Sequence, residues 1–225
     1  MKPALAILTI GVVPVSEILP LLTEHISADQ IKHVTLLGNM TREEVLAEYG
    51  AVPGEEELHA LLADRTIINI SRQKIEQALQ GILTILDKQD YDVILLMSSQ
   101  RFTGLTVHNS MLLEPERIIP PLIASIVDGH QLGIILPIPE LLSDQHKKWQ
   151  LLEKPPLFEL ANPVHGTDDD LILAGHKLIA GGVDVVVLDC LGYHQKHRDL
   201  LQKTLDIPVI LSNVLLARLT SELLA

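Results

Sequence analysis

The chain has 225 residues, 17 basic and 29 acidic side chains and a formal net charge of −12, with 47% hydrophobic and 3% aromatic residues. The apolar share is too high for a disordered chain, and the acidic balance with few aromatics excludes a phosphate-tracking or base-stacking nucleic-acid binder. The length suits one large domain or two small ones, no apolar run reaches the roughly 18 residues of a membrane span, and the lone cysteine, Cys190, excludes an intrachain disulfide and fits a reducing compartment.

Met1-Lys2 and the apolar stretch from Ala4 to Val15 have the outline of a charged leader with its apolar core. Pro14 and Glu17 interrupt the stretch and no small-x-small cleavage site follows, so it reads as a buried first strand of a cytoplasmic protein. Further strands are expected at His33–Leu37, Val93–Met97, Leu132–Leu136, Leu157–Leu160, Val185–Leu188 and Pro208–Leu211, after a first at Leu5–Ile10. Several are apolar on both parities, as in a parallel sheet covered on both faces. Helical stretches separate them. Thr41 and Glu44 have capping-box spacing, and Ser71 caps a long helix through about Asp87. Asp168, Asp169 and Asp170 suit the positive end of a helix through Leu178 that stops at Gly181-Gly182, and Asn213 is expected to cap a final helix. Met40–Ser71 reads as an insertion whose Glu55-Glu56-Glu57 run is a solvated helix start. The alternation predicts an α/β fold.

A weak internal repeat runs through the chain. Tyr91–Ser98 lies over Val183–Cys190 without a gap, and Leu5–Leu8 lies over Leu132–Ile135. Two similar α/β lobes follow, each a mostly parallel sheet flanked by helices: about 1–112 and about 113–208. The repeat puts Ser98 and Cys190 at equivalent strand ends, where open α/β sheets bind ligands. If the lobes face each other, the two residues meet over an interlobe cleft.

Cys190 sits in Asp189-Cys190-Leu191-Gly192-Tyr193-His194. A thiol just before a helix can be acidified by the helix N-terminus and then move a proton beside a carboxylate; a free cysteine also serves as a small buried packing residue. Gly192 allows close backbone approach to an anion. Ser98 and Ser99 offer hydroxyls to an oxyanion or simply form a polar strand exit, and Ser212 and Asn213 stand similarly after the last strand. Gly11 and Pro14 lie in the first strand-to-helix loop, whose amides can hold a carboxylate or merely turn. His194 and His197 are three apart, but no H-E-x-x-H motif or second cysteine accompanies them, and no metal is expected. His194 is better placed to tune the thiol, and His165 falls after a predicted strand end. No P-loop, G-x-G-x-x-G or G-x-S-x-G motif occurs, so no cofactor and no serine hydrolase are expected.

Thr9-Ile10-Gly11-x-x-Pro14, Asp189-Cys190-Leu191-Gly192-Tyr193-His194 and Leu211-Ser212-Asn213-Val214-Leu215 together resemble the AroM family, from Leu5 to Leu224. That family is associated with aromatic biosynthesis genes. More distantly the chain resembles the aspartate/glutamate/hydantoin racemase superfamily. This resemblance implies two pseudo-symmetric α/β lobes with a site between them, and a last helix that returns to the first lobe, so that 209–225 joins 1–112 and the second lobe is 113–208. It also implies one cysteine at each equivalent strand end. Cys190 matches the second position, while Ser98 or Ser99 occupies the first. Serine cannot readily replace a thiol in two-base racemisation. One thiol facing hydroxyl donors is closer to the arylmalonate decarboxylase arrangement within that superfamily.

The expected function is cofactor-independent proton transfer, an isomerisation or decarboxylation, on a small carboxylate. Cys190 and Ser98 would be catalytic, with Gly11, Pro14, Ser99, Gly192, Tyr193, His194, Ser212, Asn213 and His165 contacting the substrate. The rival expectation is a non-catalytic small-molecule binding or regulatory protein linked to aromatic amino-acid metabolism. No nucleic-acid or membrane partner is expected. The apolar stripe Ile118–Ile126 suits core or a homodimer seam.

Overall fold

The computed structural model describes residues 4–13, 15–24 and 26–224. Chain contacts define two units, one running to Glu114 and resuming at Leu219, the other spanning Pro115–Arg218.

In the first unit, β1 (Leu5–Thr9) leads through the short α1 (Leu19–Leu22) to β2 (Ile31–Thr35). Then come α2 (Arg42–Tyr49), β3 (Glu57–Leu61), β4 (Ile67–Ser71), α3 (Arg72–Asp87), β5 (Val93–Met97) and β6 (Met111–Leu113). The sheet order is β2-β1-β5-β6, all parallel. The two inner strands, β1 and β5, are buried along their whole length, whereas the edge strand β2 is largely exposed. This is why the inner strands read as unbroken apolar runs. Ser71 starts α3 by accepting the Lys74 N–H at 3.4 Å. Ile75, Leu79, Leu83 and Leu86 then fall on one buried face, as helical periodicity requires.

The second unit begins with α4 (Pro115–Ile126) and continues through β7 (Leu132–Leu136), α5 (Leu142–Lys148), β8 (Leu157–Leu160) and α6 (Asp168–Ala180). It is completed by β9 (Val185–Leu188), α7 (Gln195–Leu205), β10 (Val209–Leu211) and the first part of α8 (Ser212–Glu222), up to Arg218. Its sheet order, β10-β9-β7-β8, is again all parallel. Thr167 and Asp170 cap α6 reciprocally, with bonds of 3.2 and 2.9 Å, and Gly182 at φ +86° follows its end.

Setting aside the β3–β4 pair, each sheet places the unit's first strand beside its third in the interior. The register agrees as well. Leu5 pairs with Val93 and Leu132 pairs with Val185, the same partners the sequence repeat superposes. The Asp92 and Asp184 N–H groups, also equivalent, bond Ala4 and Gln131 carbonyls at 3.1 and 2.9 Å. A shared α/β architecture therefore underlies the repeat.

Three expectations change. Glu57 opens β3, which pairs antiparallel with β4. The acidic run thus leads into a hairpin, whose Leu58, Ala60, Ile68 and Ile70 alternate into the first unit's core. The second strand starts at Ile31, two residues before the expected position, and ends at Thr35. The domain boundary expected at 209 also differs, because pairing of β10 with β9 ties Val209–Leu211 to the second sheet. Along the Ile118–Ile126 stripe, Ile119 and Ile123 are buried and Ile126 is exposed. Among the described residues no helix is long and apolar enough to cross a membrane.

Candidate active site

In each sheet the first and third strands are neighbours, and chain connections leave them toward opposite edges. The carboxyl ends at such a reversal are where α/β sheets collect ligands. In the second unit these ends belong to β7 and β9, and Cys190 lies two residues past β9.

The Asp189 N–H still bonds the Ile135 carbonyl at 3.2 Å, so Cys190 is the first residue off the ladder. Its side chain is half-buried, and the Gly192 N–H donates to Sγ at 3.3 Å. Burial pushes the thiol up to about 11; the Gly192 bond pulls the other way, the Asp189 charge adds to the rise, and the Lys148 charge opposes it. The sequence-based expectation of an acidified thiol is thereby corrected. The next helix, α7, begins only at Gln195, and burial outweighs any help from its amides. Cys190 is a protonated thiol near neutral pH.

Glycine at 192 has a steric reason. A Cβ there would stand 3.1 Å from Pro163 Cγ and 3.6 Å from the sulfur, so the loop after β8 runs alongside the thiol loop. Tyr193 is 1% exposed, and its hydroxyl donates to the Ala161 carbonyl at 2.5 Å. It anchors the loop from below, in contrast to the substrate contact expected of it. His194 precedes α7; its N–H donates to His197 Nδ1 at 2.9 Å. The three-residue histidine spacing thus closes a helix start, and the His197 ring stands edge-on to Tyr193 at 5.7 Å. Among the described residues no cluster of histidine, cysteine and carboxylate side chains is arranged to hold a metal.

Ser212 and Asn213 also join this loop. The Ser212 hydroxyl donates to the Leu188 carbonyl at 3.2 Å. Asn213 is not the cap of the last helix but its second residue; its amide donates to the Tyr193 carbonyl at 2.9 Å and toward that of Leu191 at 3.5 Å. The thiol loop is therefore pinned from β8 and from α8 at once. His165 is exposed, and its N–H donates to Asn162 Oδ1 at 2.9 Å within a tight turn.

Sequence reasoning missed Lys148 and Glu116. Lys148, the last residue of α5, reaches Glu116 Oε1 at 2.5 Å and Asp189 Oδ1 and Oδ2 at 3.0 and 2.8 Å. All three side chains are at most 7% exposed. Burial alone would lower the Lys148 pKa, but the two carboxylates outweigh it and raise it above its ordinary value. A basic residue in the last helical turn was the available signal; nothing in the sequence distinguishes it from Lys147.

In the first unit, Ser98 follows β5, is 4% exposed and accepts the Gln100 N–H at 3.1 Å. Ser99 beside it is half-buried. Arg72 holds this exit by donating to the Arg101 carbonyl and, at 3.0 Å, to Gln100 Oε1. Gly11 is required by close packing. A Cβ there would lie 2.3 Å from the Leu61 carbonyl oxygen, which accepts the Val12 N–H at 2.8 Å. Pro14 lies outside the described residues.

Two parallel four-stranded sheets flanked by helices, with polar and thiol groups just past their third strands, define an α/β protein of the aspartate/glutamate racemase fold. The unliganded structure of arylmalonate decarboxylase is similar at a TM-score of 0.58 and 13% identity, covering 99% of this chain and 93% of that one. An aspartate racemase from Picrophilus torridus gives 0.56 and 14%, covering 98% and 94%. A glutamate racemase from Aquifex pyrophilus gives 0.57 and 14%, covering 95% and 81%. The chain belongs to the AroM protein family, whose pattern spans residues 5–224. Among curated proteins none matches the sequence.

Proposed function

We propose that this protein is a cofactor-independent enzyme in which Cys190 delivers a proton to the carbon beside the carboxylate of a small organic acid. Decarboxylation is the reaction class that needs only this donor; isomerisation would need, besides the thiol, a base to take the C2 proton. The observation that carries the reading is the chain's lone thiol, placed immediately off β9 and kept protonated by burial. A protonated thiol suits donation rather than abstraction. In a decarboxylation the bond to the leaving carboxylate breaks and carbon dioxide departs. The electron pair stays as an enediolate, which takes the thiol proton as the C–H bond forms. Water then reprotonates the sulfur. An enediolate is far more basic than a thiolate, so the transfer is downhill even from a thiol near 11.

The racemase and decarboxylase names belong to the similar structures, whose likeness extends to the fold. They make carboxylate chemistry the first class to test. The test is solvent deuterium incorporation into a panel of 2-substituted malonates and small 2-substituted acids. The wild type incorporates deuterium at C2, and Cys190→Ala loses at least about a hundredfold, the scale of a positioned acid or base. Equal incorporation by both proteins refutes the assignment. Ser98→Ala and Ser99→Ala are run in the same assay.

A second reading, a small-molecule binding protein without turnover, draws on the same raised thiol and on serine at the repeat position of Cys190. It requires an acid that raises the melting temperature of wild type and Cys190→Ala alike, with no exchange in either.

A further inference from the structure

Three elements of the first unit meet at Arg72, which the proposed reaction does not use. Arg72 is the first residue of α3, and its N–H continues the β3–β4 ladder by donating to the Glu56 carbonyl at 2.9 Å. Its side chain, 17% exposed, turns back to Glu56 as well, with Nε 2.9 Å from Oε1. The rest of the guanidinium faces the segment that leaves β5. Nη1 donates to the Arg101 carbonyl, and Nη2 donates to Gln100 Oε1 at 3.0 Å. The group also stands 5.8 Å from the centre of the buried Phe102 ring. A rigid planar fork suits this task, because its fixed donor directions define the path of three consecutive residues.

That path decides where the Ser98 hydroxyl sits. The Ser98 N–H donates to the Leu96 carbonyl at 3.1 Å, and Oγ accepts the Gln100 N–H at 3.1 Å. Oγ and that N–H meet only if the chain turns back within two residues, and Arg72 holds the far side of the turn. A hydroxyl that accepts an N–H keeps its own proton for another acceptor, and the bond it receives strengthens the one it gives. Farther along, Glu76 accepts the Thr103 and Gly104 N–H groups at 3.0 and 2.6 Å, and Gln80 Oε1 accepts that of Thr106 at 2.8 Å. These side chains follow Arg72 at one-turn intervals along α3. They hold the segment beyond Phe102, while Arg72 holds the residues next to Ser98 and Ser99. Resting on the reading of a carboxylate site at the strand ends, we propose that Arg72 is a positioning residue that fixes the turn at Gln100 and thereby the direction in which the Ser98 hydroxyl donates.

The test reads the Ser98–Gln100 bond directly. Solvent exchange of the Gln100 amide proton is measured by NMR in the full chain for wild type, Ser98→Ala, Arg72→Met, the double variant and Gln80→Leu. Ser98→Ala and Arg72→Met are each expected to speed that exchange about tenfold, the scale of one lost hydrogen bond. The double variant is expected to be no faster than Ser98→Ala, since Arg72 acts through the bond that Ser98→Ala deletes. Gln80→Leu is expected to leave the Gln100 rate within about twofold of wild type. A merely structural arginine lowers the melting temperature of Arg72→Met and leaves the Gln100 rate unchanged. That result overturns the proposal, as does a double variant in which the two effects multiply to about a hundredfold, or a Gln80→Leu protein that matches Arg72→Met. If Arg72→Met does not fold, Gln100→Leu decides: it removes the Nη2 acceptor and should speed the amide at position 100, and an unchanged rate overturns the proposal. In deuterium incorporation Arg72→Met is expected to match Ser98→Ala, and a loss that Ser98→Ala does not share also overturns it. Failure of the carboxylate reading is a separate result, seen as no incorporation by wild type, and the exchange rates then still decide the role of Arg72.

Discussion

Tyr193→Phe separates an anchor from a ligand contact. The substitution keeps the buried ring and its edge-on packing against His197, and deletes one hydroxyl. That hydroxyl donates to the Ala161 carbonyl, and both residues are at most 6% exposed. Water cannot readily take the vacated place, so the carbonyl loses its partner inside the protein. The cost is that of a buried unsatisfied acceptor, about 1–3 kcal/mol. For a chain of this size each kcal/mol moves the melting temperature by roughly 2–4 °C, so a fall of roughly 5 °C is expected. Far-UV circular dichroism melts measure it. Carboxylate affinity, read from ligand-induced melting shifts, should change less than about twofold, since the hydroxyl faces the protein and not a ligand. An unchanged melting temperature combined with lost ligand binding would refute the anchoring role and return Tyr193 to the substrate.

Gly11→Ala forces a methyl to within 2.3 Å of the Leu61 oxygen and displaces the Val12–Leu61 bond; a loss of roughly 2–4 kcal/mol is expected in urea unfolding. Asp87 gives an acid-range prediction. Burial would raise its carboxyl pKa, but N–H bonds from His108, Asn109 and Ser110 outweigh it and hold it at about 2. A group depressed in the folded state contributes stability above its unfolded value of about 4, and that contribution is lost as pH falls through about 2. Asp87→Asn should therefore be less stable than wild type at neutral pH, and the gap should narrow between about pH 4 and pH 2 in pH-dependent unfolding. Finally, native Cys190 should be alkylated at pH 7.5 more than about a hundredfold more slowly than the same thiol in urea, since an ordinary thiol titrates near 8.5.

The sheet cores were legible because their inner strands are covered on both faces and must be apolar on both parities. The repeat was legible for the same reason, and its register survives in the pairing of Leu5 with Val93 and Leu132 with Val185. The β3–β4 hairpin was not, since the charges of Glu55, Glu56 and Glu57 imitate a helix start. The true signal was the two-residue alternation of Leu58 with Ala60 and of Ile68 with Ile70.

By itself the sequence determined the α/β alternation, the internal repeat, the starts of helices at Thr41, Ser71 and Asp168, and the place of Cys190 just past a strand. These follow from local periodicity, side-chain capping and chain connectivity, which act over a few residues. The state of the thiol, the inward turn of Tyr193 and the choice of Lys148 over Lys147 were decided only by tertiary structure. Desolvation and charge pairing depend on which distant elements converge on a group, and residues as far apart as Glu116, Lys148 and Asp189 acquire their relation only when the chain has folded.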